Sequence, residues 1–174
     1  MEITINLIKE LDAQELFEFE NENRGFFEKM IPSRGNDYYT WDTFIERHWV
    51  LLNEQERGLS HFYLIKDRTG NIAGRINLVD IDLITNEAEI GFRIGEAYVG
   101  KGIANRALNL LLYSESTIKK IHAKTTTVNF ASQRVLEKNG FIQTKISDED
   151  FEMNAQKMKF VHYLWEKRNF GLEK

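Results

Sequence analysis

The stretch GEAYVGKGIANRAL, residues 95–108, carries most of what the sequence indicates about fold and ligand. It follows EAEIGFRI (87–94), whose alternation of side chains is typical of a strand. From Ile103 to Ser114 apolar residues recur at three- and four-residue steps, which predicts a helix. The glycines therefore lie between a strand and a helix N-terminus. Backbone N–H groups at such a junction, together with the helix dipole, favour an anion, typically phosphate.

Two common phosphate-binding loops do not fit this stretch. GEAYVGKG is one residue short of the P-loop pattern and lacks the Ser or Thr that binds Mg²⁺. In the dinucleotide fingerprint the third glycine would be Asn105, which is too large for close helix–strand contact. The pattern that fits is the pyrophosphate loop of acyl-CoA transferases, formed by Gly100, Gly102 and Ala104. A glycine-rich turn with a purely structural role is the alternative.

Composition excludes several other classes of protein. The net charge of −4 argues against nucleic acid as the main partner. The absence of cysteine excludes disulfides, zinc–thiolate sites and a thiol nucleophile, and it is consistent with a reducing cytoplasm. The four histidines have no metal-site spacing, so we expect no metal. The N-terminus MEITINLIKELD is not a signal peptide, and no apolar stretch approaches the roughly 20 residues of a membrane span. We expect a cytoplasmic location.

Predicted strands and helices alternate along the rest of the chain, which indicates one α+β or α/β domain over residues 1–174. Asp12 is predicted to cap a helix that ends at Phe19, and Trp41 and Trp49 fall on the apolar stripe of a helix over 41–53. Trp165 is expected in the core on a strand. The remaining segments are a strand (3–8), a hairpin (61–67 and 72–80), a strand (121–128), a helix (129–141) that Gly140 closes, and a final hairpin (141–147 and 157–167).

Three motifs stand in the order and spacing of the GCN5-related N-acetyltransferase (GNAT) family: AEIGF (88–92), GKGIA at residues 100–104, and N-x-x-S…EKNGF (129–141). The chain resembles this family over roughly residues 60–165, and most closely its branch of ribosomal-protein N-terminal acetyltransferases. The resemblance implies an α+β (α/β three-layer) fold with a mixed, mostly antiparallel sheet of about seven strands flanked by helices. The fourth and fifth strands of that sheet would splay apart.

The same resemblance implies acetyl-CoA as the cofactor. Pantetheine would bind backbone groups near Phe92 and Ile94, as an added strand does at a sheet edge. Asn129 matches the asparagine that hydrogen-bonds the pantetheine arm, although a simple N-cap role is the alternative. The pyrophosphate would lie on the backbone amides of the loop, which are those of Val99, Gly100, Lys101, Gly102, Ile103 and Ala104. Lys101 and Arg106 are either phosphate-neutralising or merely solvated.

Two departures from the family pattern affect these expectations. Val99 stands where Gln or Arg is frequent, but its backbone amide can still serve. Leu136 stands where many members have a tyrosine as general acid. In the ribosomal-protein branch a serine on the same helix is proposed for that role, and Ser132 is the matching residue. A serine in the first turn of a helix also commonly bonds backbone amides, so the structural role stays open.

Glu89 is the candidate general base, acting directly or through water. The alternative is a surface carboxylate paired with Arg93 on the same strand face, and Glu87 is a weaker substitute for the base. The turn-rich segment IPSRGNDYYT (31–40) is a candidate part of the acceptor pocket.

The expected function is acetyl-CoA-dependent acetylation of a primary amine by direct attack in a ternary complex. A protein or peptide N-terminal amine is the expected acceptor. The alternatives are a small amine (polyamine, aminoglycoside or amino acid) and a non-catalytic acyl-CoA-binding domain. A homodimer is the assembly expected from the family.

Overall fold

A computed structural model of the chain describes residues 1–30 and 32–167, and the elements that follow lie in those ranges. The α-helices are α1 (Ala13–Glu22), α2 (Arg24–Phe27), α3 (Trp41–Glu56), α4 (Ile103–Ser114) and α5 (Phe130–Lys138). The strands are β1 (Ile3–Leu7), β2 (His61–Asp67), β3 (Ile72–Asp82), β4 (Glu87–Ile94), β5 (Lys120–Thr126), β6 (Ile142–Ile146), β7 (Phe151–Met153), β8 (Gln156–Met158) and β9 (Phe160–Glu166). The predicted domain of residues 1–174 extends over 168–174, which lie outside the described residues.

Seven strands form one mixed sheet in the order β1-β2-β3-β4-β5-β9-β6. Every neighbouring pair is antiparallel except β4 and β5, which run parallel and are connected through α4. This arrangement confirms the predicted mixed, mostly antiparallel sheet flanked by helices. Strands β7 and β8 form a separate two-stranded ribbon.

The sheet splits between β4 and β5. Their pairing begins at Glu87↔Lys120 and ends at Ile90↔Ala123. Beyond this point β4 stays paired with β3 as far as Ile94, while β5 stays paired with β9 as far as Thr126. The two strands are thus held by different neighbours, and a wedge opens between them. The predicted splay is confirmed.

The two faces of the sheet are covered differently. Helices α4 and α5 pack on one face over a continuous core that includes Ile90, Ile121 and Leu108. Helices α1 to α3 cover the other face mainly over β2 and β3, where Phe62 and Leu64 are buried, and they reach β4 at Arg93. The half of that second face formed by β4, β5, β9 and β6 carries exposed polar side chains, among which are Glu89, His122 and Lys124.

A buried charge cluster joins α1 to this second face. Glu20 is fully buried and accepts hydrogen bonds from Arg75 (Nη1 to Oε1, 3.1 Å) and from Arg93. Burial lowers the pKa of Arg93, and the Glu20 carboxylate opposes that effect. The alternative considered for Glu89, an ion pair with Arg93, is therefore not observed, because α1 supplies a carboxylate that the strand pattern could not reveal.

Four other local predictions need correction. The final strands β6 and β9 are antiparallel neighbours, but the β7–β8 ribbon lies between them in sequence and β9 inserts beside β5. Trp41 and Trp49 are 39% and 48% exposed, because the core side of α3 is formed by Phe44 and His48. Asp12 occupies the predicted N-cap position of α1, but its carboxylate accepts no N–H group of that helix. It accepts the Lys9 N–H instead (2.8 Å), and α1 continues beyond Phe19 to Glu22.

Among the described residues, none of the helices has the length and apolar character that crossing a membrane requires.

Candidate active site

The loop between β4 and α4 presents an array of free backbone donors. Gly100 and Gly102 adopt left-handed conformations, with φ of 76° and 73°. Within the described part of the chain, the N–H groups of residues 100–105 have no hydrogen-bond acceptor. A Cβ atom built on either glycine would meet nothing within 4 Å. The loop is thus an open concave surface of N–H groups at the start of a helix, which suits a phosphate.

This loop forms one wall of a cavity of about 320 Å³, here called the first cavity. The end of β4 forms a second wall, and the first turns of α5 form a third. Of the residues predicted to bind the cofactor or to act in catalysis, nine line it: Phe92, Ile94, Val99, Gly100, Gly102, Ile103, Ala104, Asn129 and Ser132. The wedge between β4 and β5 opens into this cavity, so backbone groups at the free edge of β4 can pair with an extended ligand arm.

Lys101 and Arg106, the two basic residues considered for the phosphates, point away from the first cavity, whereas two unpredicted basic residues of α5 line it. Lys101 donates from Nζ to the Ala97 carbonyl (2.7 Å), and Arg106 donates to the Met1 carbonyl. Arg134 and Lys138, one helical turn apart on α5, line the cavity instead. Their four-residue spacing was visible in the sequence, but nothing there indicated which face of α5 meets the glycine loop.

Tyr98 also lines the first cavity, and its hydrogen bond connects the glycine loop to the β2–β3 turn. Its hydroxyl donates to Asp67 Oδ2 at 2.7 Å. This bond, with those from Thr69 and Asn71, lowers the pKa of Asp67 to about 2, and the same bond raises the pKa of Tyr98. Sequence analysis missed this pair because the two residues belong to different turns.

Asn129 and Ser132 meet at the start of α5. The Asn129 Oδ1 accepts the Ser132 backbone N–H at 3.1 Å, so the N-cap alternative considered for Asn129 is observed. This bond uses only the amide oxygen, and the Asn129 Nδ2 makes no hydrogen bond within the described residues. The Ser132 hydroxyl likewise makes none there, so both groups can contact a ligand in the cavity.

Glu89 is exposed on the open half of the second face and does not line the first cavity. It makes no ion pair with any described residue. Glu87, its possible substitute, is engaged: its Oε2 lies 2.9 Å from His122 Nε2, and this bond, with the Lys120 charge, lowers the pKa of Glu87. A carboxylate with a lowered pKa is a weaker base, which argues against Glu87 as the substitute.

A second cavity of about 250 Å³ lies at the same wedge. Ile90 and Ala123 line it from the core face of the sheet, whereas Lys124 and Phe160 line it from the open face. The second cavity therefore passes through the sheet where β4 and β5 separate. It shares four lining residues with the first cavity, namely Met30, Phe92, Asn129 and Ser132. Pro32, from the segment predicted to form part of the acceptor pocket, also lines it, while Ile31 lies outside the described residues.

Comparison with known proteins agrees with this geometry. The profile of the Acetyltransferase (GNAT) domain matches residues 2–142. Two Bacillus subtilis (strain 168) proteins are similar in sequence. The chain is 29% identical to "Probable N-acetyltransferase YjcK", covering 88% of this chain and 87% of that one. It is 28% identical to "Putative ribosomal N-acetyltransferase YdaF", covering 99% and 95%.

Solved structures share the fold. Ribosomal-protein-S5-alanine acetyltransferase from Vibrio fischeri superposes with a TM-score of 0.87 at 20% identity, covering 98% of this chain and 96% of that one. Microcin C7 self immunity acetyltransferase MccE, solved with acetyl-CoA and AMP, gives a TM-score of 0.82 at 22% identity, covering 95% and 93%.

Proposed function

This chain belongs to the GNAT family of acetyltransferases, whose acetyl donor is acetyl-CoA, and we propose that it acetylates the N-terminal α-amine of a polypeptide. The observation that carries the proposal is the second cavity, which joins the first cavity at the wedge and opens on the other face of the sheet. At about 250 Å³ it has room for the end of an acceptor whose remainder stays outside it. The ribosomal substrates named for YdaF and for the Vibrio fischeri enzyme support a polypeptide acceptor.

The first cavity suits the donor. The free N–H groups of residues 100–105 would hold the pyrophosphate, and Arg134 and Lys138 would add positive charge beside its phosphates. The free edge of β4 at Phe92 and Ile94 would pair with the pantetheine amides. The Asn129 Nδ2, which its capping role leaves free, would donate to the same arm.

Acetyl-CoA supplies the activated acetyl group: a C–N bond forms to the amine, and the C–S bond breaks. The amine must lose one proton, and the leaving sulfur must gain one. An α-amine with a pKa of about 8 is roughly a tenth deprotonated at neutral pH, whereas a lysine amine is about a hundredfold rarer as free base. An N-terminal amine therefore needs little help, and Glu89 would take its proton through water.

Ser132 would protonate the leaving sulfur from its Oγ. Ser132 lines both cavities, so it lies where donor and acceptor would meet. Leu136, at the position of the family's tyrosine, is buried and has no proton to give. The free Ser132 hydroxyl argues against the alternative of a non-catalytic acyl-CoA-binding protein.

The first test is calorimetric titration with acetyl-CoA of the wild type, of Gly100→Glu and of a matched control, Gly58→Glu. Gly58 also has a positive φ (69°) and open space around it, but it does not line the first cavity. We expect wild type and control to bind acetyl-CoA and Gly100→Glu to lose binding, because a side chain there would fill the phosphate site with negative charge. Binding that survives in Gly100→Glu would contradict the assignment of the loop.

Acetyl transfer is then followed by mass spectrometry with three acceptors: a peptide with a free N-terminus, the same peptide with a blocked N-terminus and an internal lysine, and spermidine. We expect acetylation of the first alone. Acetylation of spermidine but not of the free peptide would overturn the proposed acceptor.

A further inference from the structure

The lining of the second cavity is polar on one side and apolar on the other. The side toward the first cavity carries the polar side chains of Asn129 and Ser132. Met30, which borders both cavities, adds apolar surface between them. The far side is built from the apolar side chains of Pro32, Phe151, Met153 and Phe160. An acceptor whose amine lies near Ser132 therefore places its adjoining group against apolar surface. Such surface favours apolar groups, because contact with it removes their surface from water.

The residues that line the second cavity carry little charge, and that charge is positive. Among the described residues that line it, Lys124 alone is charged, and its Nζ lies 4.7 Å from the centre of the Phe160 ring. With no carboxylate in the lining, a second cation on the acceptor would meet apolar surface and a like charge. The same surroundings favour the neutral, reactive form of the acceptor amine, because desolvation and a nearby cation both lower the pKa of an amine.

The β7–β8 ribbon covers the apolar side of the second cavity. Phe151 of β7 stacks on Phe160 of β9, with ring centroids 4.4 Å apart. At the β7–β8 turn the Asn154 side chain donates to the carbonyls of Glu28 (3.3 Å) and Lys29 (3.0 Å), which follow α2. The ribbon is thereby held over the wedge against the α2 side of the molecule. The group beside the amine must fit beneath it.

We propose that this enzyme selects acceptors whose α-amine adjoins an apolar, uncharged side chain, which the second cavity encloses between Met30, Met153 and the stacked Phe151–Phe160 pair. This inference rests on the proposed function and adds the class of first residue. It predicts preference for N-terminal Met, Leu or Phe over Lys, and it excludes polyamines and aminoglycosides, which carry several cations.

The experiment uses the full chain, acetyl-CoA and peptides that differ only in their first residue: Met, Ser or Lys. We expect kcat/KM to be at least about tenfold higher for Met-first than for Lys-first peptide, the usual size of discrimination by an apolar pocket. Calorimetric binding of the peptides in the presence of CoA should follow the same order. Equal rates for all three peptides would overturn the selectivity and leave peptide acetylation standing. No acetylation of any peptide, with acetyl-CoA still bound, would overturn both proposals.

A charge-reversal variant of Lys124 tests whether the charge in the second cavity determines the preference. Lys124→Glu places a carboxylate in the second cavity at an exposed position, so folding should be preserved. We expect it to raise kcat/KM for Lys-first peptide about tenfold and to lower it for Met-first peptide. Lys145→Glu is the matched control, since Lys145 pairs in register with His162 on the same face, is exposed and does not line the second cavity. An equal change of preference in both variants would show a general charge effect and overturn the role of the cavity.

Discussion

At the scale of single residues, the positions with functional consequences are those whose polar groups are left without a partner. The loop N–H groups, the Asn129 Nδ2 and the Ser132 hydroxyl all border the first cavity. Glu87, by contrast, is already engaged with His122 and Lys120. A group that the fold leaves free beside a cavity can bind a ligand without first breaking an internal bond.

For Ser132 this leads to a kinetic prediction. Ser132→Ala should lower kcat by about 10²-fold or more, the usual effect of losing a general acid, while acetyl-CoA affinity stays unchanged. Steady-state kinetics and calorimetry separate the two quantities. Ser116→Ala, at an exposed position outside both cavities, serves as control. An unchanged kcat in Ser132→Ala would leave this serine a purely structural role.

At the scale of elements, the glycine loop is held by contacts outside its own segment. The Tyr98 hydroxyl connects the short turn before the loop to Asp67 at the end of β2. This hydrogen bond is the largest cause of the low pKa of Asp67. The charged form of Asp67 is therefore favoured in the folded protein, which makes the contact dependent on pH.

Because the pKa of Asp67 is about 2 in the folded protein and about 3.9 in an unfolded chain, its contribution to stability is complete above about pH 4. It is lost as the pH falls toward 2. In Tyr98→Phe the folded pKa should rise, so the decrease in unfolding free energy between pH 4 and pH 2 should be smaller than in wild type. Denaturant unfolding at several pH values measures this. Tyr113→Phe, at a 92% exposed position, should behave as wild type, and an identical decrease in Tyr98→Phe would refute the coupling.

At the scale of the whole molecule, the layer formed by α1 is joined to the sheet by charge as well as by apolar packing. Glu20 bonds Arg75 on β3 and Arg93 on β4, which lie 55 and 73 residues away along the chain. Arg93 also lies over the Phe27 ring, 4.7 Å from its centre, and lines the first cavity. The cluster thus fixes α1 and α2 beside the wedge in which both cavities meet.

Removing the carboxylate charge should be costly, because two buried arginines would remain without an opposite charge. We expect Glu20→Gln to lower the unfolding free energy by about 3–5 kcal/mol. Glu22→Gln, two residues away on the exposed side of α1, should change it by less than about 0.5 kcal/mol. Chemical denaturation of both variants gives the comparison. Equal stability of the two variants would mean that the cluster contributes little.

The sequence by itself determined most of the elements and the glycine loop between β4 and α4. Helix α4 spans Ile103–Ser114 as predicted, and Gly140 follows α5 in the left-handed conformation expected of it. These features depend on neighbours within one turn or one strand, through hydrophobic period, helix dipole and glycine conformation. The motif order added the family and hence the splayed sheet, which no local pattern could supply.

Only the tertiary structure decided which side chains meet. Four features depend on residues that are far apart in sequence. They are the partner of Arg93, the exposure of Trp49, the positions of Arg134 and Lys138 at the first cavity, and the ribbon that covers the second cavity. Periodicity assigns a side chain to a face of its own element, but the packing of elements decides what that face contacts. The second cavity is formed by such contacts, because the segment after α2 meets β5, β7 and β9 there only in the folded chain.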